Sequence, residues 1–367
     1  MPELVAIAAP GGPLFIRELS AAWERGDAVL PLDPRLPLPA ARSLLAALRP
    51  SAVVDETGDR QDLRDSRPTE VGDALVVASS GTTGQPKGIV LTMDAVRASA
   101  YATSARLAVD PVRDKWLACL PLSHVGGLSV LTRALVTGTP VEVRPAFDPD
   151  TDATLVSVVR TLLQRHDFTR FRGVVLGGSA PPETLPANVV TTYGMTETGS
   201  GVVYDGRPLE GVDVQLGPDG EIRLRGPMLL RAYRDGSDPR DAEGWLRTGD
   251  LGRWTDDGRL EVHGRRDDLI ITGGENVWPE TVEVAVRSLP GVADVGVAGA
   301  PDPEWGARVV AYVVPEDPAT PPTLDALRLH VKQRLPAFCA PRQLVLCSSL
   351  PRTALGKLRR GELSTTR

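Results

Sequence analysis

Short apolar runs recur along the chain, and their spacing constrains the fold more than any other feature of the sequence. Residues 75–78, 116–120 and 173–176 are such runs, bounded mainly by polar residues, glycine and proline. Segments with apolar residues at helical spacing separate several of them, and residues 151–163 form one of these segments. Strands that alternate with helices are typical of layered α/β proteins. We therefore predict an α/β fold.

The second half of the sequence contains strands of another kind. The stretches GEIRLRG (220–226) and GRLEVHG (258–264) alternate apolar with charged residues, which predicts half-buried antiparallel strands. Beyond residue 267 we predict a compact unit with helices at 279–289 and 323–335 and strands at 293–298 and 308–314, and Thr323 is the expected N-cap. The predicted domains are a large α/β domain with an antiparallel subdomain, residues 1–266, and a small α+β domain, residues 267–367.

Charge and composition exclude several classes of function. The 41 basic and 47 acidic residues are spread evenly and give a net charge of −6, so no basic face is offered to nucleic acid or to an anionic membrane. No apolar run approaches the roughly 18 residues of a membrane span, so we expect no membrane insertion. Three cysteines without a CxxC pair fit a reducing compartment. We expect a cytoplasmic protein, and the sequence leaves a homodimer open.

One loop has the composition of a phosphate cradle. SSGTTGQPKG, residues 79–88, holds four hydroxyls, three glycines and Lys87 directly after an apolar run. Consecutive glycine N–H groups can bind an anion, although a flexible polar turn would have the same composition. The loop is neither a Walker A sequence, since Pro86 precedes the lysine and Gly88 follows it, nor a GxGxxG fingerprint. An ordinary NTPase or a nicotinamide enzyme is therefore not indicated.

This loop resembles the phosphate-binding signature of the adenylate-forming superfamily, which includes acyl-CoA synthetases, peptide-synthetase adenylation domains and beetle luciferases. Six further signatures of that superfamily follow in order: LPLSHVGGL (120–128), VLGGSAPP (175–182), TTYGMTETG (191–199), GWLRTGDLG (244–252), GRRDDLIITGGENVWPETVE (264–283) and LPRTALGKLRR (350–360). The resemblance implies an enzyme that joins AMP from ATP to a carboxylic acid, with Mg²⁺, and then transfers the acyl group to coenzyme A.

The resemblance also assigns the nucleotide-binding residues. The phosphate loop would use Ser79, Ser80, Gly81, Thr82, Thr83, Gly84 and Lys87; the adenine would lie among Gly177, Gly178, Ser179, Tyr193 and Gly194. Thr196 would contact phosphate, and Glu197 would be the metal ligand, because Mg²⁺ usually takes only one or two protein carboxylates. Asp250 would accept the ribose hydroxyls and Arg265 would contact the nucleotide. Without the resemblance, Glu197 and Asp250 are ordinary loop acids and Arg265 forms a surface salt bridge.

The last signatures concern catalysis and motion. Lys357 resembles the superfamily lysine that bridges carboxylate and phosphate during adenylation, where an ammonium stabilises the developing charge. The superfamily then rotates its C-terminal domain about the residue that matches Asp267 and presents Gly273 and Gly274 to the pantetheine of CoA. A charged linker at residues 265–268 would have the same sequence.

Two signatures indicate the substrate. SHVGGLSVLTRAL (123–135) and ITGGENVWPETVE (271–283) resemble the o-succinylbenzoate–CoA ligases of menaquinone biosynthesis, and the first signature begins as early as in compact members of the superfamily. His124, which would also be catalytic, Gly127, Arg133 and Ser179 would then contact the acid. An arginine inside an apolar helical run needs an anionic partner, which a dicarboxylic substrate supplies; a structural acid or solvent is the alternative. Ser123 and Trp278 depart from the usual residues.

Two other functions stay open at this stage. An adenylation enzyme could load its acid onto a carrier protein instead of CoA, and a homologue without activity could simply bind nucleotide. Lys87, Glu197, Asp250, Arg265 and Lys357 are all present, which favours an active enzyme.

Overall fold

The computed structural model describes residues 1–80, 86–182, 184–352 and 358–365. Its strands are β1 (Leu4–Ile7), β2 (Ala28–Pro31), β3 (Ala52–Val54), β4 (Arg60–Asp62), β5 (Asp73–Ser80), β6 (Pro86–Thr92), β7 (Trp116–Ala118), β8 (Val141–Val143), β9 (Leu155–Val159), β10 (Gly173–Gly177), β11 (Val189–Gly194), β12 (Gly201–Tyr204), β13 (Arg207–Pro208), β14 (Asp213–Leu216), β15 (Glu221–Arg225), β16 (Ala232–Tyr233), β17 (Leu246–Trp254), β18 (Leu260–Arg265), β19 (Ile270–Thr272), β20 (Glu275–Val277), β21 (Val292–Asp302), β22 (Gly306–Pro315) and β23 (Gln343–Leu346).

The α-helices in the described parts of the chain are α1 (Pro13–Arg25), α2 (Leu38–Leu48), α3 (Met93–Arg106), α4 (Val125–Thr137), α5 (Arg160–Arg165), α6 (Pro279–Arg287) and α7 (Leu324–Lys332). Short 3₁₀ helices cover Thr196–Thr198, Arg266–Asp268, Ala337–Cys339 and Arg360–Thr365. Local sequence explains several helix ends: the Thr92 and Thr323 side chains accept hydrogen bonds from the third residue that follows each of them, and Gly26 ends α1 in a left-handed conformation.

The first sheet has the strand order β16-β6-β5-β2-β1-β3-β4. Strand β1 runs parallel to both of its neighbours, and all four of its residues are buried. One face packs against α1, where Phe15 and Leu19 contact the core around Ile7; on the other face Leu48 of α2 packs with Leu4. A continuous apolar run such as LVAI is what a strand covered on both faces requires.

The second sheet has the order β13-β12-β11-β10-β9-β7-β8, and β7, β9, β10 and β11 run parallel. The carboxyl ends of these four strands therefore lie at one edge, which is where ligands bind in open α/β sheets. Strand β7 is followed by the loop that leads to α4, β10 by the glycine loop at 177–181, and β11 by the 3₁₀ helix at Thr196–Thr198.

The prediction of a helix over residues 151–163 is wrong. Residues Leu155–Val159 form β9, and only Arg160–Arg165 are helical. The first four residues of β9 are buried, because the strand pairs with both β7 and β10 in the interior of the sheet. A short buried strand is apolar at successive positions, so it matches a helical spacing by coincidence.

The other predicted elements are confirmed with shifted ends. The predicted strands at 75–78, 116–120 and 173–176 correspond to β5, β7 and β10, and the predicted C-terminal helices and strands to α6, β21, β22 and α7. The alternating stretches form β15 and β18, and β18 pairs antiparallel with β17. In β18, however, Leu260 is buried whereas Val262 is 37% exposed, so only part of its apolar face is covered.

The chain divides into two compact units, one formed by Met1–Val214 and Leu224–Arg247, the other by Gln215–Arg223 and Thr248–Arg367. The third sheet, in the order β14-β15-β17-β18, contains the points where the chain passes from one unit to the other. The second unit also holds a sheet of β20-β19-β22-β21, in which β23 pairs with β22. The predicted boundary after Arg266 lies inside this unit. The boundary after Arg266 stays a prediction.

The predicted fold class is confirmed: α/β layers form the first unit, antiparallel strands follow, and a smaller α+β unit ends the chain. Among the helices of the described residues, none combines the length and the apolar character that crossing a membrane requires.

Candidate active site

The strands that flank the predicted phosphate loop form an antiparallel hairpin. Ser79 of β5 lies opposite Lys87 of β6, and Ser80 lies opposite Pro86. Gly81, Thr82, Thr83 and Gly84 lie outside the described residues. The structure therefore places the two flanks of the loop, Ser79 and Lys87, side by side at the ends of two central strands.

Lys87 and Glu197 both contact the same tyrosine. The Lys87 ammonium lies over the Tyr233 ring, 5.0 Å from its centroid, and the Tyr233 hydroxyl donates to Glu197 Oε1 at 3.1 Å. Tyr233 reaches both because β16 pairs with β6, which places it opposite Ile89. The structure thus brings two predicted residues together through a third that the sequence did not single out.

The backbone around Glu197 is firmly held. Thr198 Oγ1 accepts a hydrogen bond from the Met195 N–H at 2.9 Å, which closes the 3₁₀ helix that carries Thr196 and Glu197. The Glu197 carbonyl accepts from the Leu230 N–H at 2.7 Å. Tyr193 and Gly194 end β11 directly before this turn. The predicted adenine and phosphate residues of this signature therefore follow the carboxyl end of one parallel strand.

The second predicted adenine loop lies beside it. Gly177 is the last residue of β10, Gly178 adopts φ +87°, and Ser179 is exposed. Strand β10 pairs parallel with β11, so this loop and the turn around Glu197 leave the same edge of the second sheet. The predicted adenine residues are thus neighbours in the fold.

His124 leaves that edge as well, because it follows β7 and is the N-cap residue of α4. Burial lowers the pKa of its imidazole below the ordinary value of 6.5, with Arg35 acting in the same direction and Asp33 opposing. The ring is therefore neutral at pH 7. Gly127, in the first turn of α4, allows the helix to approach residues 120–121 closely. A Cβ at this position would lie 2.6 Å from the Pro121 carbonyl oxygen.

Arg133 is buried in α4, and no acidic side chain among the described residues pairs with it. It is 2% exposed, and its Nε and Nη1 have no hydrogen-bond partner among the described residues. The guanidinium lies over the Trp116 ring, 4.9 Å from the centroid, and burial lowers its pKa below the ordinary value. The structural acid that was the alternative partner for Arg133 is not found among the described residues, and Nε and Nη1 are buried.

Arg133 lines a cavity of the first unit together with mostly apolar side chains. Val96, Leu128 and Met228 are among the apolar members, and the polar members are Ser99, Ser129, Thr132 and Arg133. Nearby, Ser123, which stands where relatives often carry an aromatic residue, has a buried Oγ with no hydrogen-bond partner within the described ranges. The lining is thus mostly apolar, and Arg133 adds one buried positive charge to it.

In the second unit, Asp250 and Arg265 form an ion pair. They are cross-strand partners in β17 and β18, and Arg265 Nε lies 2.9 Å from Asp250 Oδ1. Arg265 Nη1 also donates to the Thr248 carbonyl at 2.9 Å. Asp250 is 8% exposed. The pair holds a carboxylate and a guanidinium in fixed positions, as a site for a ribose and a phosphate would need.

The glycine pair predicted to face pantetheine is described in the same unit. Gly273 adopts φ +60°, and a Cβ there would lie 2.6 Å from the Trp305 ring, so the indole occupies the space of a side chain. Gly274 adopts φ +84° and has open space where its Cβ would be.

Trp278, the second departure from the usual pattern, stacks on His263 with 5.6 Å between ring centroids. Asp267 lies in the 3₁₀ turn Arg266–Asp268, and Lys357 lies outside the described residues.

Comparisons with known proteins decide the family. The sequence model described as "AMP-binding enzyme" matches residues 55–234, and that of the "AMP-binding enzyme C-terminal domain" matches residues 281–357. A probable 2-succinylbenzoate–CoA ligase from Mycobacterium tuberculosis is 38% identical over 362 residues, which cover 89% of this chain and 94% of that protein. The chain belongs to the AMP-binding enzyme family.

Solved structures of AMP-binding enzymes agree with this assignment. The o-succinylbenzoate CoA synthetase (MenE) of Bacillus subtilis, in complex with the acyl-adenylate intermediate OSB-AMP, has a TM-score of 0.87 at 28% identity and covers 100% of this chain and 88% of its own. The same enzyme in complex with ATP and magnesium ion has a TM-score of 0.85 at 27% identity, covering 99% and 89%. The predicted family, the adenylate-forming ligases, is confirmed.

The residues of this AMP-binding enzyme fit a magnesium nucleotide. No group of three or more histidine, cysteine, aspartate or glutamate side chains that could hold a metal by themselves occurs among the described residues. Mg²⁺ bound together with phosphate oxygens needs only one or two protein carboxylates. Glu197 is a carboxylate that would meet this need, and the Tyr233 hydroxyl donates a hydrogen bond to its Oε1. The chemistry that Mg²⁺ supplies is neutralisation of phosphate charge.

Proposed function

We propose that the chain is an ATP-dependent acid–CoA ligase that activates o-succinylbenzoate as an acyl-adenylate and transfers the acyl group to coenzyme A. Membership of the AMP-binding enzymes supports the chemistry, and the names of the Mycobacterium tuberculosis and Bacillus subtilis proteins support the acid. We further propose that it acts in the cytoplasm, with ATP, Mg²⁺ and CoA as its reaction partners.

The environment of Arg133 is the observation that carries the choice of acid. A buried guanidinium is costly unless an anion pairs with it. The Arg133 guanidinium lies over the Trp116 ring, and no carboxylate among the described residues pairs with it. o-Succinylbenzoate has an aromatic body and two carboxylates, of which only one is activated. Apolar side chains beside Arg133 are of the kind that contact an aromatic ring, although the cavity must widen to admit one. The carboxylate that does not react can then pair with Arg133 in a bidentate manner.

The first half-reaction needs anionic groups to be gathered at one phosphorus atom. We assign Lys87 and the loop before it to the phosphates, Glu197 to Mg²⁺, and Thr196 to a phosphate oxygen. Asp250 and Arg265 take the ribose and the nucleotide phosphate. The neutral imidazole of His124 can donate one hydrogen bond to the reacting carboxylate, and Lys357 stabilises the charge that develops as pyrophosphate leaves.

The second half-reaction needs a thiol at the acyl carbon. Gly274 has open space where its Cβ would be, so a narrow pantetheine chain can pass close to its backbone, whereas Gly273 is already packed against Trp305. Rotation about Asp267 would bring the segment into use after adenylation and withdraw Lys357. We assign CoA rather than a carrier protein as the acceptor because the similar proteins are named as CoA ligases.

Exchange of labelled pyrophosphate into ATP tests the first half-reaction directly. Purified full-length protein is assayed with o-succinylbenzoate, benzoate, other aromatic dicarboxylates and short fatty acids, and thioester formation is then measured with CoA and with a holo-carrier protein. We expect the highest kcat/KM with o-succinylbenzoate and product only with CoA. Exchange that favours benzoate would overturn the choice of acid, and no exchange with any acid would favour a non-catalytic homologue.

Size-exclusion chromatography with light scattering tests the homodimer.

A further inference from the structure

Tyr233 belongs to a two-residue strand whose position is fixed by its neighbours. Strand β16 pairs antiparallel with β6, and the Tyr233 N–H donates to the Ser237 carbonyl at 2.8 Å. The next residue, Arg234, is buried, and its guanidinium donates to the carbonyls of Leu48 at 3.0 Å and Pro68 at 2.9 Å. Its N–H donates to the Gly88 carbonyl at 2.7 Å. The backbone at Tyr233 is therefore anchored to the residue that follows Lys87.

The same segment is also anchored to the turn of Glu197. The Leu230 N–H donates to the Glu197 carbonyl, and Arg231 forms an ion pair with the buried Asp73 at 2.8 Å. Residues 230–234 thus tie the backbone of Glu197 to the backbone of β6. Tyr233 is the member of this segment whose side chain contacts the functional groups themselves.

Each end of the Tyr233 side chain contacts a different group. The ring face lies 5.0 Å from the Lys87 ammonium, a distance at which the cation is attracted to the aromatic face. The hydroxyl donates to Glu197 Oε1 at 3.1 Å. Since a phenol can donate only one hydrogen bond, it fixes one carboxylate oxygen and leaves the other without this donor. The Lys87 ammonium, for its part, lies over the neutral aromatic face.

We propose that Tyr233 is a positioning residue for the magnesium nucleotide: its hydroxyl orients the Glu197 carboxylate toward the metal, and its ring holds the Lys87 ammonium for the phosphates. The inference rests on two assignments of the proposed function, Glu197 to Mg²⁺ and Lys87 to the phosphates. The loss of a group that orients a metal-binding carboxylate commonly lowers metal affinity by about 10- to 100-fold.

The two contacts can be separated by substitution. Tyr233→Phe removes the hydroxyl and keeps the ring, so only the orientation of Glu197 should change. Tyr233→Leu removes both. Tyr101→Phe is the matched control, because Tyr101 is a 58% exposed tyrosine of α3 that takes no part in the site.

Nucleotide binding measured by calorimetry tests the proposal without the reaction. We expect Tyr233→Phe to weaken ATP binding about 10-fold in the presence of Mg²⁺ and to leave binding in EDTA unchanged. Tyr233→Leu should weaken binding under both conditions, since the ring also supports Lys87, and Tyr101→Phe should match the unchanged protein. Wild-type affinity of Tyr233→Phe with Mg²⁺, or equal losses with Mg²⁺ and with EDTA, would overturn the role of the hydroxyl.

A double-mutant cycle shows whether Tyr233 acts through Glu197. In the Glu197→Gln background, Tyr233→Phe should cause no further loss of magnesium-dependent ATP affinity, because the carboxylate that it orients is absent. Additive losses would contradict the proposal. ATP binding needs neither the acid nor CoA, so these measurements test the role of Tyr233 even if the proposed acid is wrong. A wild-type protein that binds no ATP would overturn the role of Tyr233.

Discussion

The guanidinium of Arg133 lies over the indole of Trp116, 4.9 Å from the ring centroid, and both side chains are buried. The aromatic face offers some compensation for the buried charge, but less than a carboxylate would. Arg133 Nε and Nη1 have no hydrogen-bond partner among the described residues. Buried donors without partners lower the stability of the folded protein, and they leave Arg133 able to bind an anionic ligand.

Replacing Arg133 should therefore separate dicarboxylic from monocarboxylic acids. We expect Arg133→Leu to raise the KM for o-succinylbenzoate by about 10- to 100-fold, the worth of a lost charge-assisted hydrogen bond, and to change the KM for benzoate much less. Pyrophosphate exchange with both acids gives the ratio. Arg207→Leu, at an exposed arginine, is the control. Equal changes with both acids would remove Arg133 from substrate recognition.

The ribose assignment predicts a dependence on the sugar hydroxyls. Asp250→Ala should weaken ATP binding about 10-fold, because a charged acceptor is lost, and should hardly affect 2′,3′-dideoxy-ATP, which has no hydroxyl to offer. Competition binding with the two nucleotides measures the difference. Asp256→Ala changes an exposed aspartate of the same unit and should affect neither. If both nucleotides lose affinity equally, Asp250 acts through its ion pair with Arg265 instead.

Lys357 should matter in only one half-reaction. We expect Lys357→Ala to reduce pyrophosphate exchange by at least about 100-fold, since electrostatic stabilisation of this kind contributes several kcal/mol. The variant should still convert supplied acyl-AMP and CoA into thioester at nearly the wild-type rate, because the proposed rotation about Asp267 would have withdrawn the lysine by then. A rapid-quench assay of each half-reaction decides the point. Equal losses in both would contradict the role.

Much of the fold, and the place in the fold of several candidate site residues, could be predicted because their signals are local. The signatures around Glu197 and Ser179 follow consecutive parallel strands, so a sequence match is enough to place them at one sheet edge. Tyr233 gave no such signal. It lies in a two-residue strand without periodicity, and its importance comes from the pairing of β16 with β6, which brings together residues far apart in the chain.

Burial by distant residues was equally beyond the sequence. Glu283 lies in α6, where a glutamate is normally solvated, yet it is 7% exposed. Arg360 covers it from the end of the chain, and the Val297 N–H donates to its Oε1 at 2.8 Å. The helix prediction for residues 155–159 was wrong for a related reason. These residues form a strand because they pair with β7 and β10, and their spacing does not show this pairing.

The close approach of α4 to the preceding loop predicts a stability effect. Gly127→Ala would place a Cβ against the Leu120 and Pro121 carbonyls, so the helix or the loop must move. We expect a loss of about 1–3 kcal/mol in the free energy of unfolding, typical of overpacking. Denaturant unfolding measures it. Gly126→Ala is the matched control, since its Cβ would make ordinary contact at 3.6 Å, and an equal loss for both would refute the steric explanation.

Glu283 predicts how stability varies with pH. Burial raises the pKa of its carboxyl to about 7 from the ordinary 4.5, although Arg360, the Val297 N–H and Arg287 favour the charged form; Glu280 acts with burial. Between these pH values the folded chain holds a proton that the unfolded chain has lost. This carboxyl therefore stabilises the fold most below pH 4.5, and its contribution falls as the pH rises to 7, by at most about 1.4 kcal/mol per pH unit.

Glu283→Gln removes this titration while keeping the shape of the side chain. We expect the free energy of unfolding of the variant, minus that of the unchanged protein, to increase as the pH rises from 4.5 to 7 and to level off above that. Urea unfolding at half-unit steps of pH measures the difference, in which the titrations of the other carboxylates cancel. Glu316→Gln, at an exposed position, should give a difference that does not depend on pH. A constant difference for Glu283→Gln would mean that its carboxylate is already ionised throughout this range and that the ion pair with Arg360 outweighs burial.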